Sequence, residues 1–332
     1  MKKRVIDLRE QSPLLDIVSY GRARGALTPA QRSYIARTVR RVPEVVVKVS
    51  GGARTLAGVE RHMKYIEKKG ELGLETDMGT RAAGPQFARR MVEDWDLDTE
   101  ALKHHSKKTI RGKPPKLVHN IIFSMPPGTS RAKVLQAVRR LALNEWALQH
   151  RYAMALHTDE PHPHVHVVVK AMSEQGVRLN IRKATLRNWR TQFAAHLRDL
   201  GVAANATERA VRGETRSHKL IGIYRAEQRD ESTHMRERRA YVIREAESNS
   251  RPFDSGLAEM KRTRQHVIAG WRNLEGRLRD AGEYELADGI RGFTGAMPAP
   301  RTEMQWIAHQ LLEKAQRIEF DRSLDSSPGR AR

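Results

Sequence analysis

Four histidines lie within ten positions of one another in the stretch HTDEPHPHVHVVVK, residues 157–170. Neutral imidazoles are common ligands of divalent transition metals, and a site with three protein ligands keeps a coordination position open for a substrate oxygen. A metal held in this way withdraws charge from a phosphoryl or carbonyl oxygen and so promotes attack on it. The alternative is a polar hairpin tip with solvated histidines, so the elements that position these residues must decide.

The histidines flank a short link between two predicted strands, residues 152–158 and 164–171. Because side chains alternate along a strand, His164 and His166 point to the same face of the hairpin. His157, just before the link, shares a face with the small residues of its own strand, 152–158, and can converge on His164 and His166. The spacing therefore predicts a metal site formed by His157, His164 and His166.

Two residues of the link itself have different predicted roles. His162 stands between two prolines and points elsewhere, so we exclude it from the metal site. Asp159 follows His157 by two positions and can turn back to accept an N–H from a ligand imidazole. The alternative for Asp159 is a catalytic role as proton acceptor. Because the chain contains no cysteine, histidines and carboxylates are the ligands available to a metal.

The charge of the chain favours a nucleic acid as the partner. Its 332 residues include 61 lysines and arginines against 39 acidic residues, a formal net charge of +22 that attracts polyanions. An anionic membrane surface is the competing partner, but no apolar run reaches the roughly 18 residues of a spanning helix. The N-terminal MKKRVIDLREQSP lacks the apolar core of a signal peptide. We therefore expect a cytoplasmic protein without membrane insertion.

The alternation of strand and helix patterns predicts an α+β fold, an antiparallel sheet with helices on one face. A β-branched run at 44–50 predicts a strand that ends in a diglycine turn, and 117–125 predicts another strand. Ser130 is predicted to cap a long helix. Helical spacing is found in four segments: residues 56–70, 85–95, 130–146 and 183–201.

The pattern divides the chain into three regions: a lead-in at 1–43, a domain at 44–215, and a helical region at 225–332 that ends in a disordered basic tail. In the helical region, two apolar stripes predict the packing faces of a helical bundle. The residues of these stripes are Leu257, Met260, Val267, Trp271, Leu274 and Leu278 in the first, and Met304, Ile307, Leu311 and Ile318 in the second.

The motifs together resemble the conjugative DNA relaxases, in the plasmid mobilisation and T-DNA border-nicking branch of the HUH endonuclease superfamily. HTDEPHPHVHVVVK resembles the histidine motif of these enzymes. VVVKVSGGARTLAGVERHMKYIEKKGELGL resembles their first motif, whose tyrosine attacks DNA, and HNIIFSMPPGTS resembles their second, whose serine contacts DNA near the scissile phosphate. The resemblance covers about residues 44–215 and does not extend to the lead-in or the helical region.

The resemblance implies a relaxase domain with a ferredoxin-like, palm-type core and Tyr65 as the nucleophile. Such an enzyme nicks single-stranded or melted DNA at a transfer origin through a 5′-phosphotyrosyl intermediate, with Mn²⁺ or Mg²⁺ as cofactor. A phenol is mostly protonated at neutral pH, and the lysines that follow Tyr65 favour its ionisation. Five residues are expected to contact the DNA: Ser124, Lys68, Lys69, Arg182 and Lys183.

Three basic segments are expected to follow the phosphates of the DNA: KKTIRGKPPK, RLNIRK and TERAVRGETRSHK. The resemblance also implies accessory origin-binding proteins, a coupling ATPase and a type IV secretion channel as partners, and export of the protein with the transferred strand. The basic C-terminal tail is a candidate export signal.

Three alternatives remain open at this stage. A rolling-circle replication initiator or single-strand transposase of the same superfamily would typically place its tyrosine after the histidines, whereas Tyr65 precedes them. A non-catalytic origin-binding accessory protein would use the histidines for a structural metal. A metallo-oxygenase with a histidine-bound iron would explain the hairpin but not the charge.

Overall fold

The computed structural model describes residues 26–68, 72–79, 81–104, 112, 114–215, 221–247 and 255–325. The chain divides into two compact units, and the boundary between them lies between Ala206 and Thr207. Of the described residues before this boundary, 26–32 belong to the second unit. Lys69, Gly70, most of the segment KKTIRGKPPK and the C-terminal tail lie outside the described residues. The predicted domain boundaries at 44, 215 and 225 stay a prediction.

The first unit is built on an antiparallel sheet, as predicted. Its strands are β1 (Val46–Ala53), β2 (Leu74–Thr76), β3 (Arg81–Ala82), β4 (Val118–Ser124), β5 (Tyr152–His157) and β6 (His164–Lys170). The six strands follow the spatial order β1-β4-β6-β5-β2-β3, so β1 is an edge strand and the histidine hairpin of β5 and β6 lies centrally. Every strand pair is antiparallel. The short strands β2 and β3 were not predicted from the sequence.

Helices cover both faces of the sheet, which corrects the predicted one-sided arrangement. The helices up to the unit boundary are α1 (Pro29–Val39), α2 (Leu56–Ile66), α3 (Pro85–Asp94), α4 (Leu97–His104), α5 (Arg131–Glu145) and α6 (Lys183–Asp199). Val165, Val167 and Val169 of β6 pack against α5 and α6 on one face. Val168 and the alanines of β5 pack against α2, α3 and α4 on the other. A strand that is apolar on both faces needs cover on both.

The diglycine lies inside β1, where the sequence predicts a turn. The register between β1 and β4 shifts between Val49 and Gly51, which marks a β-bulge, and the strand then continues to Ala53. A side-chain carbon on Gly52 would collide with the carbonyl oxygen of Val118. Glycine therefore allows β1 to pass close to β4 and extends the edge strand by three residues beyond the predicted end at residue 50.

Helix boundaries follow the predicted segments closely. Helix α5 begins after Ser130, although the Ser130 side chain makes no capping hydrogen bond. Helix α6 ends before Gly201, whose φ of 74° is a conformation that glycine adopts without strain. The segments predicted at 56–70 and 85–95 form α2 and α3, with α2 ending at Ile66.

The second unit is helical, with α7 (Ile221–Gln228), α8 (Thr233–Glu247), α9 (Ser255–Asp280), α10 (Tyr284–Gly295) and α11 (Glu303–Asp325). The predicted stripe of α9 is buried at Val267, Trp271, Leu274 and Leu278. The Trp271 indole donates a hydrogen bond to the Val211 carbonyl oxygen at 3.0 Å. Ile318 is 45% exposed, so its predicted packing role is wrong. Across the residues that the structure describes, no helix combines the length and the apolar character that a membrane crossing requires.

Candidate metal and nucleophile site

The three predicted metal ligands converge at one end of the hairpin. His157 of β5 pairs directly with His164 of β6, and His166 lies two residues further along the same face. One nitrogen from each ring lies within 4.8 Å of the others. The predicted set His157, His164 and His166 is therefore brought together by the strand register alone.

Backbone carbonyls orient two of the three rings. Nε2 of His157 lies 2.7 Å from the carbonyl oxygen of Ile66, and Nδ1 of His164 lies 2.9 Å from that of His162. Because a carbonyl oxygen only accepts, these nitrogens carry the protons, and the other nitrogen of each ring keeps a lone pair. Nδ1 of His166 is buried and has no hydrogen-bond partner among the described residues. This donor set suits a divalent transition metal.

Two of the imidazoles, those of His157 and His166, are held in the neutral form that metal binding requires. Burial, reinforced by His157 and His164, lowers the pKa of His166 to about 3. Burial also lowers the pKa of His157, against the opposing effect of its hydrogen bond to Ile66. At neutral pH these rings carry no charge, and their lone pairs are free to coordinate a cation.

Helix α2 presents Tyr65 to the histidine cluster. The Thr55 hydroxyl caps the helix by accepting a hydrogen bond from the Gly58 amide at 3.2 Å. The apolar side of the helix, which carries Met63 and Ile66, is buried against the sheet. Tyr65 precedes Ile66 by one position, which turns its side chain by about 100°. The Tyr65 side chain is thus 55% exposed at the edge of this packed face.

The Tyr65 ring lies beside two of the predicted ligands. Its centroid is 6.0 Å from that of His166, with the rings edge-on, and 6.4 Å from that of His157. Tyr65 and His157 are 92 positions apart in the sequence. The predicted nucleophile and the predicted metal ligands thus meet at one exposed site.

Asp159 does not orient His157 as predicted. Its carboxylate is 3.9 Å from Nδ1 of His157, beyond hydrogen-bonding distance, while the carbonyl oxygen of Ile66 holds the other nitrogen of that ring. Asp159 instead forms an ion pair of 3.0 Å with Lys68. The hydrogen bond from Lys68 holds the pKa of the Asp159 carboxyl below its usual range. The physical reason is proximity, since the Lys68 ammonium reaches the carboxylate and the imidazole does not.

The predicted DNA-contacting residues divide between the two faces of the sheet. Ser124 pairs with His164 across β4 and β6, so it lies at the same end as the histidine cluster. Lys68 is placed at this site by its contact with Asp159. Arg182 and Lys183 stand at the start of α6, which packs on the opposite face. The structure therefore does not bring Arg182 and Lys183 to the histidines.

His62 belongs to the site but was missed by the sequence analysis. Its ring stacks on that of Tyr65 at a centroid distance of 6.0 Å and an interplanar angle of 26°. Its Nε2 is buried without a partner among the described residues, and burial lowers its pKa to about 4. The sequence carries one indication of this contact, because residues three apart on a helix are neighbours.

Comparison with known proteins gives a consistent result for the first unit. Residues 65–201 match a family model described as the nuclease domain of MobA/VirD2-like relaxases. This match confirms the resemblance to the plasmid mobilisation and T-DNA branch of relaxases.

Similar curated proteins are T-DNA border endonucleases VirD2. The protein from Rhizobium radiobacter is 27% identical over 189 residues, which cover 51% of this chain and 43% of that relative. The protein from Agrobacterium fabrum is 25% identical over 240 residues, which cover 65% of this chain and 52% of the relative. The chain spans about half the length of the curated relatives it matches.

Proposed function

We propose that the chain is a metal-dependent DNA nicking and closing transesterase, on the premise that residues 65–201 match the nuclease domain of MobA/VirD2-like relaxases. The observation that carries the proposal is the position of Tyr65. Its exposed ring lies 6.0 Å from His166 and 6.4 Å from His157, beside the histidine cluster. A nucleophile next to a cation site is the arrangement that phosphoryl transfer to a phenol requires.

In the proposed reaction, the Tyr65 oxygen attacks the phosphorus of a scissile phosphodiester. A bond forms between this oxygen and phosphorus, and the bond from phosphorus to the 3′ oxygen breaks. The phenol proton is balanced by the proton that the leaving 3′ hydroxyl gains. The product is a 5′-phosphotyrosyl ester and a free 3′ end. Because one ester replaces another, the 3′ hydroxyl can reverse the step without a nucleoside triphosphate.

The residues of the cluster fit a divalent metal such as Mn²⁺ or Mg²⁺. His157, His164 and His166 would hold it through lone pairs of their ring nitrogens. In His157 and His164, one nitrogen donates to a backbone carbonyl oxygen and the other keeps its lone pair. In His166, Nδ1 is buried and has no partner among the described residues. When bound, such an ion supplies charge stabilisation at a non-bridging phosphoryl oxygen. A set of three nitrogen donors favours a transition ion such as Mn²⁺ over Mg²⁺, which prefers oxygen ligands.

The ion pair with Asp159 holds the Lys68 ammonium next to the cluster. The Lys68 side chain is 23% exposed and its ammonium is 3.0 Å from the Asp159 carboxylate. The lowered pKa of Asp159 makes this carboxylate a weak base, which argues against it as the acceptor of the Tyr65 proton. We assign Asp159 the positioning of Lys68, whose ammonium would contact a phosphate of the DNA. Ser124, at the same end of the sheet, is the candidate hydroxyl contact to the DNA.

The substrate we propose is single-stranded or melted DNA at a transfer origin, because a phosphodiester in an intact duplex is poorly accessible to a side chain on the rim of a helix. The name T-DNA border endonuclease, given to the similar relatives, supports cleavage of DNA at a defined site. Conjugative mobilisation would require accessory origin-binding proteins, a coupling ATPase and a type IV secretion channel. It would place the nicking step in the cytoplasm of a bacterial donor, before export of the protein with its strand.

The test is the formation of a covalent adduct. Wild type, Tyr65→Phe and the control Tyr241→Phe, an exposed tyrosine of the second unit, are incubated with labelled single-stranded oligonucleotides that span the transfer origin. Mn²⁺, Mg²⁺ and a chelator are compared. We expect a denaturant-resistant adduct with wild type and Tyr241→Phe in the presence of metal, and none with Tyr65→Phe.

A tight complex of wild type with the origin that never yields an adduct would overturn the proposal. The histidines would then hold a structural metal in a non-catalytic accessory protein. An adduct that persists in Tyr65→Phe would place the nucleophile elsewhere.

A further inference from the structure

A second basic site lies in the first unit, away from the histidine cluster. A cleft of about 690 Å³ is lined by three cationic side chains, Arg54, Lys116 and Arg178, together with His119 and Asn180. The apolar part of its lining, which we call its floor, consists of Val49, Leu179, Ile181 and Leu186 together with Pro115. None of the ten described residues that line the cleft is acidic. The volume is in the usual range for sites that hold a small ligand or a nucleotide.

The three cations of this cleft are held mainly by backbone carbonyls. Arg54 donates to the carbonyl oxygen of Pro114, Lys116 donates to that of Gly51 at 3.0 Å, and Arg178 donates to that of Lys116 at 2.5 Å. Burial lowers the pKa of Arg178, and the negative charge of Glu100 acts in the opposite direction. Carbonyl partners fix the positions of the side chains but do not neutralise their charges, so the cleft keeps a positive potential.

The electrostatics of neighbouring groups agree with this potential. Burial, followed by the charges of Lys116 and Arg178, lowers the pKa of His119 to about 4. Burial and the charge of Arg54 lower the pKa of Lys116. The His119 ring is therefore neutral at pH 7, and the positive charge of the cleft comes from the three cationic side chains.

The cleft and the histidine cluster lie on opposite faces of the sheet. His119 pairs with Val169 of β6, whose side chain packs on the face of α5 and α6. His164 and Ser124 pair at the other end of the same two strands. His119 and Ser124 are five positions apart along β4, which corresponds to about 17 Å at ~3.3 Å per residue. The two sites are thus too far apart to bind the same phosphate.

Basic and small residues lie along β1 at the edge of the sheet, between the two faces. Lys48 of β1 is exposed, and its charge contributes to the lowered pKa of His166. The diglycine of the β-bulge follows, and Arg54 comes directly after the end of β1. Val49 of the same strand lines the cleft. The Lys116 side chain lies against Gly52 and donates to the Gly51 carbonyl oxygen, so one cation of the cleft lies directly at the two glycines.

We propose that the cleft binds a nucleotide of the same DNA strand that is cut at Tyr65, with its phosphate held by Arg54, Lys116 and Arg178 and its base on the apolar floor. The strand would then pass from the histidine cluster around the β1 edge to the opposite face. Two of the basic segments noted in the sequence, KKTIRGKPPK and RLNIRK, meet in this cleft through Lys116 and Arg178. This inference rests on the proposed function only for the identity of the strand.

The test measures how DNA length changes affinity. Single-stranded oligonucleotides are extended stepwise on one side of the nick site and then on the other, and binding is measured by fluorescence anisotropy. Wild type is compared with Arg54→Gln and Arg178→Gln. The matched control Arg229→Gln removes the same charge from an arginine of the second unit whose side chain is 61% exposed.

We expect wild type to gain affinity when the extension becomes long enough to enter the cleft on one side. The cleft variants should bind the extended oligonucleotide about tenfold more weakly than wild type does, which is the typical effect of losing one charge-assisted hydrogen bond. The slope of log affinity against log salt should fall by about 0.7 for each lost phosphate contact to a single strand. On the shortest oligonucleotide that still forms the Tyr65 adduct, the cleft variants should form it at the wild-type rate.

Several outcomes separate this inference from the proposed function. Equal length dependence in the cleft variants and in Arg229→Gln would overturn it, and so would tight binding of a free mononucleotide with no effect of DNA length. If wild type forms no adduct but the cleft variants lose the length-dependent gain, the cleft is supported and the nicking function is not. Should Arg178→Gln fold poorly in a melting experiment, Arg54→Gln and the charge-conserving Arg178→Lys decide instead, with Arg178→Lys expected to recover affinity.

Discussion

At the scale of single residues, the site depends on where each buried nitrogen finds its partner. A buried imidazole is costly unless its nitrogens are paired, and here the Ile66 carbonyl oxygen accepts from the buried His157 ring. The His162 carbonyl oxygen accepts from the partly buried ring of His164. The predicted partner of His157, Asp159, is paired with Lys68 instead. The carbonyl oxygen of Ile66, at the end of α2 and 91 positions away in the sequence, orients the His157 ring in place of the Asp159 carboxylate.

Metal affinity should depend on the three converging histidines and not on the fourth. We expect His166→Gln to weaken Mn²⁺ binding by at least about 100-fold, because loss of a ligand costs no less than loss of an outer contact. His162→Gln is the matched control, since this histidine contributes its carbonyl oxygen to the site, which the substitution keeps. Isothermal titration with Mn²⁺ measures both. Equal weakening by the two variants would contradict the assignment of the ligands.

At the scale of elements, the strand register and the β-bulge position the chemistry. The hairpin of β5 and β6 brings the histidines together, and α2 lies on the same face of the sheet with Tyr65 at its rim. The bulge in β1 lets the edge strand stay paired with β4 through the diglycine. The bulge depends on a close approach between the backbones of β1 and β4, and only glycine permits that approach at position 52.

A methyl group at position 52 should disturb this edge of the sheet. We expect Gly52→Ala to lower the free energy of unfolding by about 2 kcal/mol or more, because the new carbon would collide with the carbonyl oxygen of Val118. Gly276→Ala is the matched control, since nothing lies within 4 Å of a side-chain carbon there. That helical position should gain about 0.5–1 kcal/mol. Denaturant unfolding measures both, and an unchanged stability of Gly52→Ala would show that the bulge relaxes freely.

At the scale of the whole molecule, a large positive charge surrounds buried neutral histidines. The net charge is +22, and burial lowers the pKa of His62 and His119 to about 4 and that of His166 to about 3. The unfolded chain binds protons on these rings below about pH 6.5, whereas the folded chain does not until lower pH. Acidification therefore favours the unfolded state, and it also increases the self-repulsion of the basic chain.

Stability should fall as the pH is lowered from about 6.5 towards 4. The pKa values of these histidines are lower in the folded chain than in the unfolded chain. Their contribution to stability is therefore fully present above the unfolded pKa and is lost as the pH falls from there towards the folded pKa. We expect a loss on the order of 1 kcal/mol per buried histidine by pH 5, measured as thermal unfolding in the presence of a chelator. His119→Gln should flatten the pH dependence, while His266→Gln, at an exposed position, should not. The same slope in both variants would contradict the burial of His119 as its cause.

Much of the fold and of the candidate site could be predicted from local patterns. The strands at 117–125, 152–158 and 164–171 and the helix that follows Ser130 are confirmed, because hydrophobic periodicity reports which face is buried. The convergence of His157, His164 and His166 follows from alternation and a short link. The sequence could not give the second layer of helices, because an apolar strand does not reveal what covers each face.

The sequence by itself determined the identity and order of the reactive groups, namely a tyrosine, a histidine hairpin and a strongly basic chain. These follow from residue type and from contacts between neighbours in sequence. Only the tertiary structure decided that Ile66 orients His157, that Asp159 binds Lys68, that His62 stacks on Tyr65, and that two distant basic segments meet in one cleft. Apart from the His62 and Tyr65 pair, which shares one helix, these contacts join elements far apart in the chain. Their partners are selected by packing, which no local pattern encodes.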